Sequence, residues 1–105
     1  MVIDLNDYKP SNIKVLSGRE TGKNLRTQLN LDTVDHSDDI MTVIVPDTLY
    51  SINSSYFLGA FGASVRTLGE QEFRTRYIFK CDDIIRKNVE DGISRALKDS
   101  DVLRS

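Results

Sequence analysis

The sequence has a single cysteine, and no apolar run approaches the ~20 residues that cross a membrane. One cysteine excludes an internal disulfide, which favours a reducing compartment such as the cytoplasm. There is no excess of basic charge either: the net charge is −2, which argues against a general attraction to nucleic acid or anionic lipid. The first residues, 1–4, lack the basic and apolar regions of a signal peptide. We therefore expect a cytoplasmic protein that binds neither nucleic acid nor a membrane.

Repeats, low-complexity tracts and linkers are missing as well, so nothing in the pattern divides the 105 residues. Hydrophobic residues make up 39% of the chain and charged residues 29%, a balance typical of a folded globular protein. A chain of this length can bury one core. We predict a single domain over residues 1–105.

Four segments have the apolar and β-branched composition of strands: residues 2–5, 13–16, 40–46 and 76–79. A turn-rich loop joins the first two, which predicts an antiparallel pair. The most continuous apolar run is 40–46, and such a run is typical of a strand that is buried on both faces.

Three amphipathic helices are predicted between and after these strands. Their apolar faces are formed by Leu25 and Leu29, then by Phe57, Phe61, Val65 and Leu68 within about residues 54–68, and finally by Ile85, Val89 and Ile93 after a cap at Asp82 or Asp83. The polar and acidic residues 31–39 predict an exposed loop. The order β-β-α-β-α-β-α predicts an α/β fold with three main helices, in which a four-stranded sheet is mixed but mostly parallel.

Two hydroxyl groups stand at the predicted start of the second helix. Ser54 and Ser55 follow Asn53, at a position where helical N–H groups lack partners. The N–H groups and the dipole of a helix stabilise an anion, so a phosphate on Ser54 would be favoured there. A plainer interpretation stays open, in which one of these three side chains only caps the helix and contributes about 1 kcal/mol.

Two segments resemble a known family. Residues 17–26 (SGRETGKNLR) are similar to the opening of the first helix in the STAS-like domain of unknown function, a small bacterial family. Residues 52–57 (INSSYF) are similar to the Ile-Ser-Ser-Ser-Phe segment of the same family. The resemblance covers about residues 2–98 and implies a STAS-like fold. It extends more distantly to the anti-sigma factor antagonists, whose STAS domains give the fold its name.

The resemblance also implies a function. In the anti-sigma factor antagonists a serine at this helix start is phosphorylated by a partner kinase, and Ser54 matches it by position, with Ser55 as the second candidate. Asn53 and Tyr56 stand where aspartate and glycine are usual. The implied partner is a histidine-kinase-like ATPase or a serine kinase, and the implied role is that of a small regulatory, protein-interaction domain without a cofactor. The residues that would contact the partner or a ligand are Arg19, Gly22, Arg26, Asn53 and Tyr56.

The residues also allow other functions to be considered one by one: a ligand sensor, a nucleotide-binding loop, a metal site and an enzyme. A nucleotide or small-molecule sensor is the alternative function, because ligands of parallel sheets bind beyond the carboxyl ends of strands. Residues 18–24 are not a P-loop, since three rather than four residues separate the glycines and Asn24 follows the lysine. His36 lies among aspartates without metal-ligand spacing, which predicts a solvated loop. No nucleophile and base are paired in a recognisable motif, so we predict neither an enzyme nor a metal site.

Overall fold

A computed structural model describes the backbone of residues 1–104 and the side chains of residues 1–98. The fold is α/β, with two small parallel sheets. The larger sheet has the order β1-β3-β5, formed by β1 (Val2–Asp4), β3 (Met41–Ile44) and β5 (Tyr77–Lys80). The smaller sheet pairs β2 (Val15–Leu16) with β4 (Ser51–Ile52).

The predicted antiparallel pair at the start of the chain is wrong. Strand β1 pairs in parallel with β3, with Val2 opposite Thr42, and β2 pairs in parallel with β4. A 3-10 turn over Leu5–Tyr8 follows β1 directly, and the Asp4 side chain caps it by accepting a hydrogen bond from the Asn6 N–H at 2.9 Å. This turn leads the chain away before the second strand can fold back on the first. The sheets therefore hold three and two strands, not four in one sheet.

The three predicted helices occur in the predicted order, with two short helices added and one distortion. Their bounds are α1 (Arg19–Leu29), α2 (Leu31–Asp35), α3 (Ser54–Phe57), a π-helical turn (Leu58–Gly62), α4 (Ala63–Leu68), α5 (Glu70–Arg76) and α6 (Asp83–Arg104). The segment predicted as one helix over about 54–68 is continuous from α3 to α4, and the π-helical turn widens its middle. At the start of α6 the Asp82 side chain accepts from the Ile85 N–H at 2.8 Å, as predicted for a cap. Within the described chain, no helix is both long and apolar enough to cross a membrane.

The acidic segment 31–39 is not only an exposed loop. Its first residues form α2, in which Leu31, Val34 and Asp35 are buried. Leu31 and Val34 are three residues apart and therefore share one face of a helix. That face packs into the core, and the adjacent Asp35 is buried together with it.

Burial alternates along each strand of the larger sheet. In β3, Met41 and Val43 are fully buried, whereas Thr42 and Ile44 are only partly buried, so this strand is buried on one face and not on both. On the buried side, five aromatic side chains form one cluster with ring centroids 4.7 to 6.3 Å apart: Phe57, Phe61, Phe73, Tyr77 and Phe79. The core thus lies between one face of this sheet and the helices.

Candidate functional site

Helices α1 and α3 begin next to each other. The short β2–β4 pair brings them together, because the Asn53 N–H donates to the Leu16 carbonyl at 2.8 Å and the Gly18 N–H donates to Ser55 Oγ at 3.3 Å. Gly18 has a φ of +91°, which an L side chain rarely adopts, and it is the residue that opens α1. Two helix starts, and the partial positive charge of each, therefore lie side by side.

The two candidate serines differ in their surroundings. Ser55 Oγ accepts the hydrogen bond from the Gly18 backbone, so its hydroxyl ties the two helix starts together. Ser54 is half-buried, and its hydroxyl makes no hydrogen bond to any of the residues 1–98 whose side chains are described. The side chain of Asn53 is exposed and makes no capping hydrogen bond to α3. Of the three side chains, Ser54 has the hydroxyl that is both accessible and uncommitted.

Gly22 and Tyr56, two of the predicted contact residues, are buried where α1 crosses the α3 segment. A Cβ on Gly22 would collide with the Tyr56 carbonyl oxygen, and a Cβ on Gly59 would collide with the Arg19 carbonyl oxygen. The two glycines therefore allow the helices to approach closely. Tyr56 is 2% exposed, and burial raises its pKa to about 12. The surface that a partner could meet is formed by other residues.

Arg26, another predicted contact residue, is committed inside the protein. Its guanidinium donates to Asp32 Oδ1 at 2.6 Å, to Asp35 Oδ2 at 3.0 Å and to Ser64 Oγ at 2.8 Å. It also donates to the Ala60 carbonyl oxygen, within the π-helical turn, at 3.1 Å. Burial lowers the pKa of Arg26, but the hydrogen bonds and charges of the two aspartates outweigh that effect and raise it. Arg26 thus joins α1 to α2 and to the widened helix.

Asp35 is at the centre of this buried polar network, and sequence reasoning missed it. Its Oδ1 accepts from the Tyr77 hydroxyl at 2.6 Å, and its Oδ2 accepts from Ser64 Oγ at 2.6 Å as well as from Arg26. Burial is the main reason that the pKa of Tyr77 is raised, and the hydrogen bond to Asp35 adds to it. The spacing of Leu31 and Val34 was the one local signal that this acidic segment contains a helix with a buried face.

An open cleft runs between α1 and the segment from Leu58 to Arg66. Its volume is about 510 Å³, and Arg19, Lys23 and Arg66 line it together with Arg26. A second cleft of about 490 Å³ continues from it, because Arg19 and Leu58 line both. This second part reaches the basic side chains of α6. We call the combined surface the basic cleft. Apart from Arg26, which is bound to Asp32 and Asp35, its cations are Arg19, Lys23, Arg66, Arg95 and Lys98.

His36 and Cys81 do not belong to the basic cleft. His36 Nδ1 lies 2.7 Å from the Asp32 carbonyl oxygen, and within the described residues no three His, Cys, Asp or Glu side chains come together as metal ligands. Burial is the largest cause that raises the pKa of Cys81, and Asp82 and Asp83 also raise it, as expected from their proximity.

The carboxyl ends of the strands, where ligands of parallel sheets bind, belong to two different sheets. Residues 17–18 and 53–54 follow the β2–β4 pair, whereas residues 47–48 and 81–82 follow strands of the larger sheet. Comparison with family models, with curated proteins and with solved structures found no match for this chain.

Proposed function

We propose that this chain is a non-enzymatic, cytoplasmic regulatory domain of STAS-like type that binds an acidic segment of a protein partner. The partner class that we propose is a histidine-kinase-like ATPase or a serine kinase. The observation that carries the proposal is the basic cleft: five cationic side chains from three helices line one surface of a chain whose net charge is −2.

The charges of this cleft are not neutralised from within. Arg19 and Arg66 form no ion pair with any of the described side chains, and the Lys23–Glu20 pair spans 3.6 Å at an exposed position. Exposed pairs of this kind contribute little. Cations that remain unpaired attract an anionic partner and accelerate its association.

The shape and flanking groups of the cleft favour an acidic polypeptide over a nucleic acid. The two parts form an elongated surface with the apolar Leu58 at their junction, which suits an extended segment that carries acidic and apolar side chains. None of the described lining residues is an aromatic on which a base could stack.

Phosphorylation of Ser54 is the proposed control. Ser54 lies at the start of α3, beside the start of α1 that carries Arg19. A phosphoryl group adds about −1.5 to −2 charges and is stabilised by helix N-termini. It would compete with an acidic partner for Arg19 and repel that partner. Tyr56 and Phe57, which follow the serine, point into the core and therefore do not shield it from a kinase.

Titration of the ¹⁵N-labelled protein with a short glutamate-rich peptide that contains a central leucine tests the cleft. We expect shifts at residues of the basic cleft, and a loss of affinity of about tenfold for each reversal in Arg19→Glu and Arg66→Glu. Lys87→Glu, which reverses an exposed cation on α6 outside the cleft, is the matched control and should bind almost as well. Equal losses in all three variants would show that only net charge matters and would overturn the proposal.

The proposed control by Ser54 is tested with Ser54→Asp, which should lower the affinity for the peptide about fivefold or more. Ser11→Asp adds the same charge at an exposed serine outside the cleft and should leave the affinity almost unchanged. ATP and a single-stranded oligonucleotide are titrated in parallel. Tight binding of ATP would favour the nucleotide-sensor alternative, and tight binding of the oligonucleotide would likewise contradict an acidic protein partner.

A further inference from the structure

The outer face of the three-stranded sheet is uncovered. Val2 is 66% exposed and Ile78 is 39% exposed, although both lie in strands of a parallel sheet. Sheets whose strands are all parallel normally have both faces covered. One layer is therefore missing from this side of the described chain.

The strand register arranges the outward side chains of this face in two rows. Val2, Thr42 and Ile78 are aligned across the three strands and form the first row. Asp4, Ile44 and Lys80 are aligned in the same way and form the second. We call these two rows the open sheet face. Its second row has an acidic residue at one end, an apolar residue in the centre and a basic residue at the other end.

We propose that the open sheet face binds a second copy of this chain, sheet against sheet, about a two-fold axis that runs parallel to β3 between the two molecules. Such an axis keeps the strand direction and exchanges the two edges of the sheet, so β1 of one copy lies over β5 of the other. Closed two-fold contacts of this kind are the commonest in soluble oligomers.

The two-fold arrangement makes every aligned position complementary. Asp4 of each copy lies over Lys80 of the other, which gives two ion pairs, and Val2 of each copy lies over Ile78 of the other. Ile44 and Thr42 meet their own counterparts on the axis. Asp4 Oδ1 is occupied by the Asn6 N–H, and its second oxygen makes no hydrogen bond to the described residues, so it can accept from the lysine. A two-fold axis perpendicular to the strands would keep the edges and reverse the strand direction, and it would place Asp4 over Val2 and Lys80 over Ile78.

The proposed contact area is small, so we expect the dimer to be weak. Three strands about 4.8 Å apart, each contributing two outward residues, cover much less than the ~800 Å² per partner of a standard interface. Ile40, which is 50% exposed and precedes β3 by one residue, adds an apolar side chain to the column that Thr42 and Ile44 form. We expect a dimer that dissociates in the high micromolar range, and this expectation is independent of the proposed function.

Sedimentation equilibrium up to a chain concentration of about 1 mM tests the proposal. The unchanged protein should dimerise, and Lys80→Asp alone or Asp4→Lys alone should raise the dissociation constant at least tenfold. A mixture of the two single variants should form heterodimers, because one copy then presents only lysines and the other only aspartates at these positions. The double variant with the charges exchanged should dimerise like the unchanged protein.

Several outcomes would overturn the proposal. The unchanged protein could stay monomeric at the highest concentration. The dissociation constant could be the same in both charge-reversal variants as in the unchanged protein. The mixture of the two single variants could form no heterodimer. Asp4→Lys also removes the cap on Asn6, so its melting temperature is compared with that of Asp4→Asn, which keeps an oxygen for that cap. Ile78→Thr provides a variant free of this complication, and it should weaken the dimer without loss of folding because Ile78 is exposed.

Discussion

Replacement of Tyr77 by phenylalanine tests the buried network directly. Asp35 Oδ1 receives its hydrogen bond from the Tyr77 hydroxyl at 2.6 Å, whereas Oδ2 receives two, from Ser64 and Arg26. Tyr77→Phe keeps the ring in its aromatic cluster and leaves one oxygen of a buried carboxylate without that donor. Hydrogen bonds to charged groups contribute about 1.5–3 kcal/mol, so we expect the free energy of unfolding to fall by about 2 kcal/mol.

Urea denaturation followed by circular dichroism measures this change, and the m value should stay the same because the unfolded surface is unaltered. In a thermal melt the same loss lowers Tm by roughly 10 °C for a chain of this size. Tyr50→Phe is the control, since Tyr50 is 68% exposed, and it should change stability by less than about 0.5 kcal/mol. A loss for Tyr77→Phe as small as that of the control would refute the reasoning.

A double-mutant cycle extends this test. Ser64 Oγ donates to the same carboxylate as Tyr77, at 2.6 Å, so the effects of Ser64→Ala and Tyr77→Phe should not add. We expect a coupling energy of at least about 0.5 kcal/mol. If the two losses in the free energy of unfolding simply add, the two hydroxyls stabilise the protein independently of each other. That result would contradict a cooperative network around Asp35.

Three further predictions follow from the helix crossing and the buried titratable groups. Gly22→Ala should destabilise the protein by about 2 kcal/mol in urea, because its methyl group meets the Tyr56 carbonyl, while Asn24→Ala on the exposed side of α1 should have little effect. Burial raises the pKa of Tyr56 to about 12, and it also raises the pKa of Tyr77. The folded state therefore favours the neutral phenols, and their contribution to the free energy of unfolding is fully present below the ordinary tyrosine pKa of about 10. Stability should therefore fall as the pH rises from about 10 towards 12, and a flat alkaline profile would contradict this. Iodoacetamide should modify Cys81 more slowly at pH 8 than it does in urea, since burial raises the thiol pKa in the folded chain, and equal rates would exclude that effect.

The elements with strong local patterns and the mostly parallel pairing of the strands were predictable, whereas the pairing of the first two strands and the division into two sheets were not. The run 40–46 contains β3, and the apolar stripe over about 54–68 runs from α3 to α4. The antiparallel pair was wrong because a short loop between two strands suggests a hairpin, whereas the capped 3-10 turn after β1 redirects the chain. The Asp4 side chain caps that turn with one hydrogen bond, which spacing alone does not reveal.

The candidate site was predictable only where it is local in sequence. Ser54 and Arg19 stand at helix starts that the motifs marked, and both are accessible. Arg26 matched the same motif, but its partners Ser64 and Asp35 are 38 and 9 residues away, and Tyr77 is 42 residues from Asp35. The basic cleft likewise combines cations from three separate helices. Contacts at such separations depend on the tertiary fold and leave no periodic signal.

The π-helical turn over Leu58–Gly62 holds about one residue more than an α-helical turn, because its hydrogen bonds span five residues instead of four. Each residue of an α-helix turns the chain by about 100°, so a deletion in one of the flanking α-helical segments rotates Ser54 by about a quarter of a circle relative to Val65, which is fully buried against the core. A deletion within the π-helical turn is different, because the turn can then close as an α-helical turn and leave the serine in phase with the core. We therefore expect single-residue deletions to be tolerated better within Leu58–Gly62 than in α3 or α4.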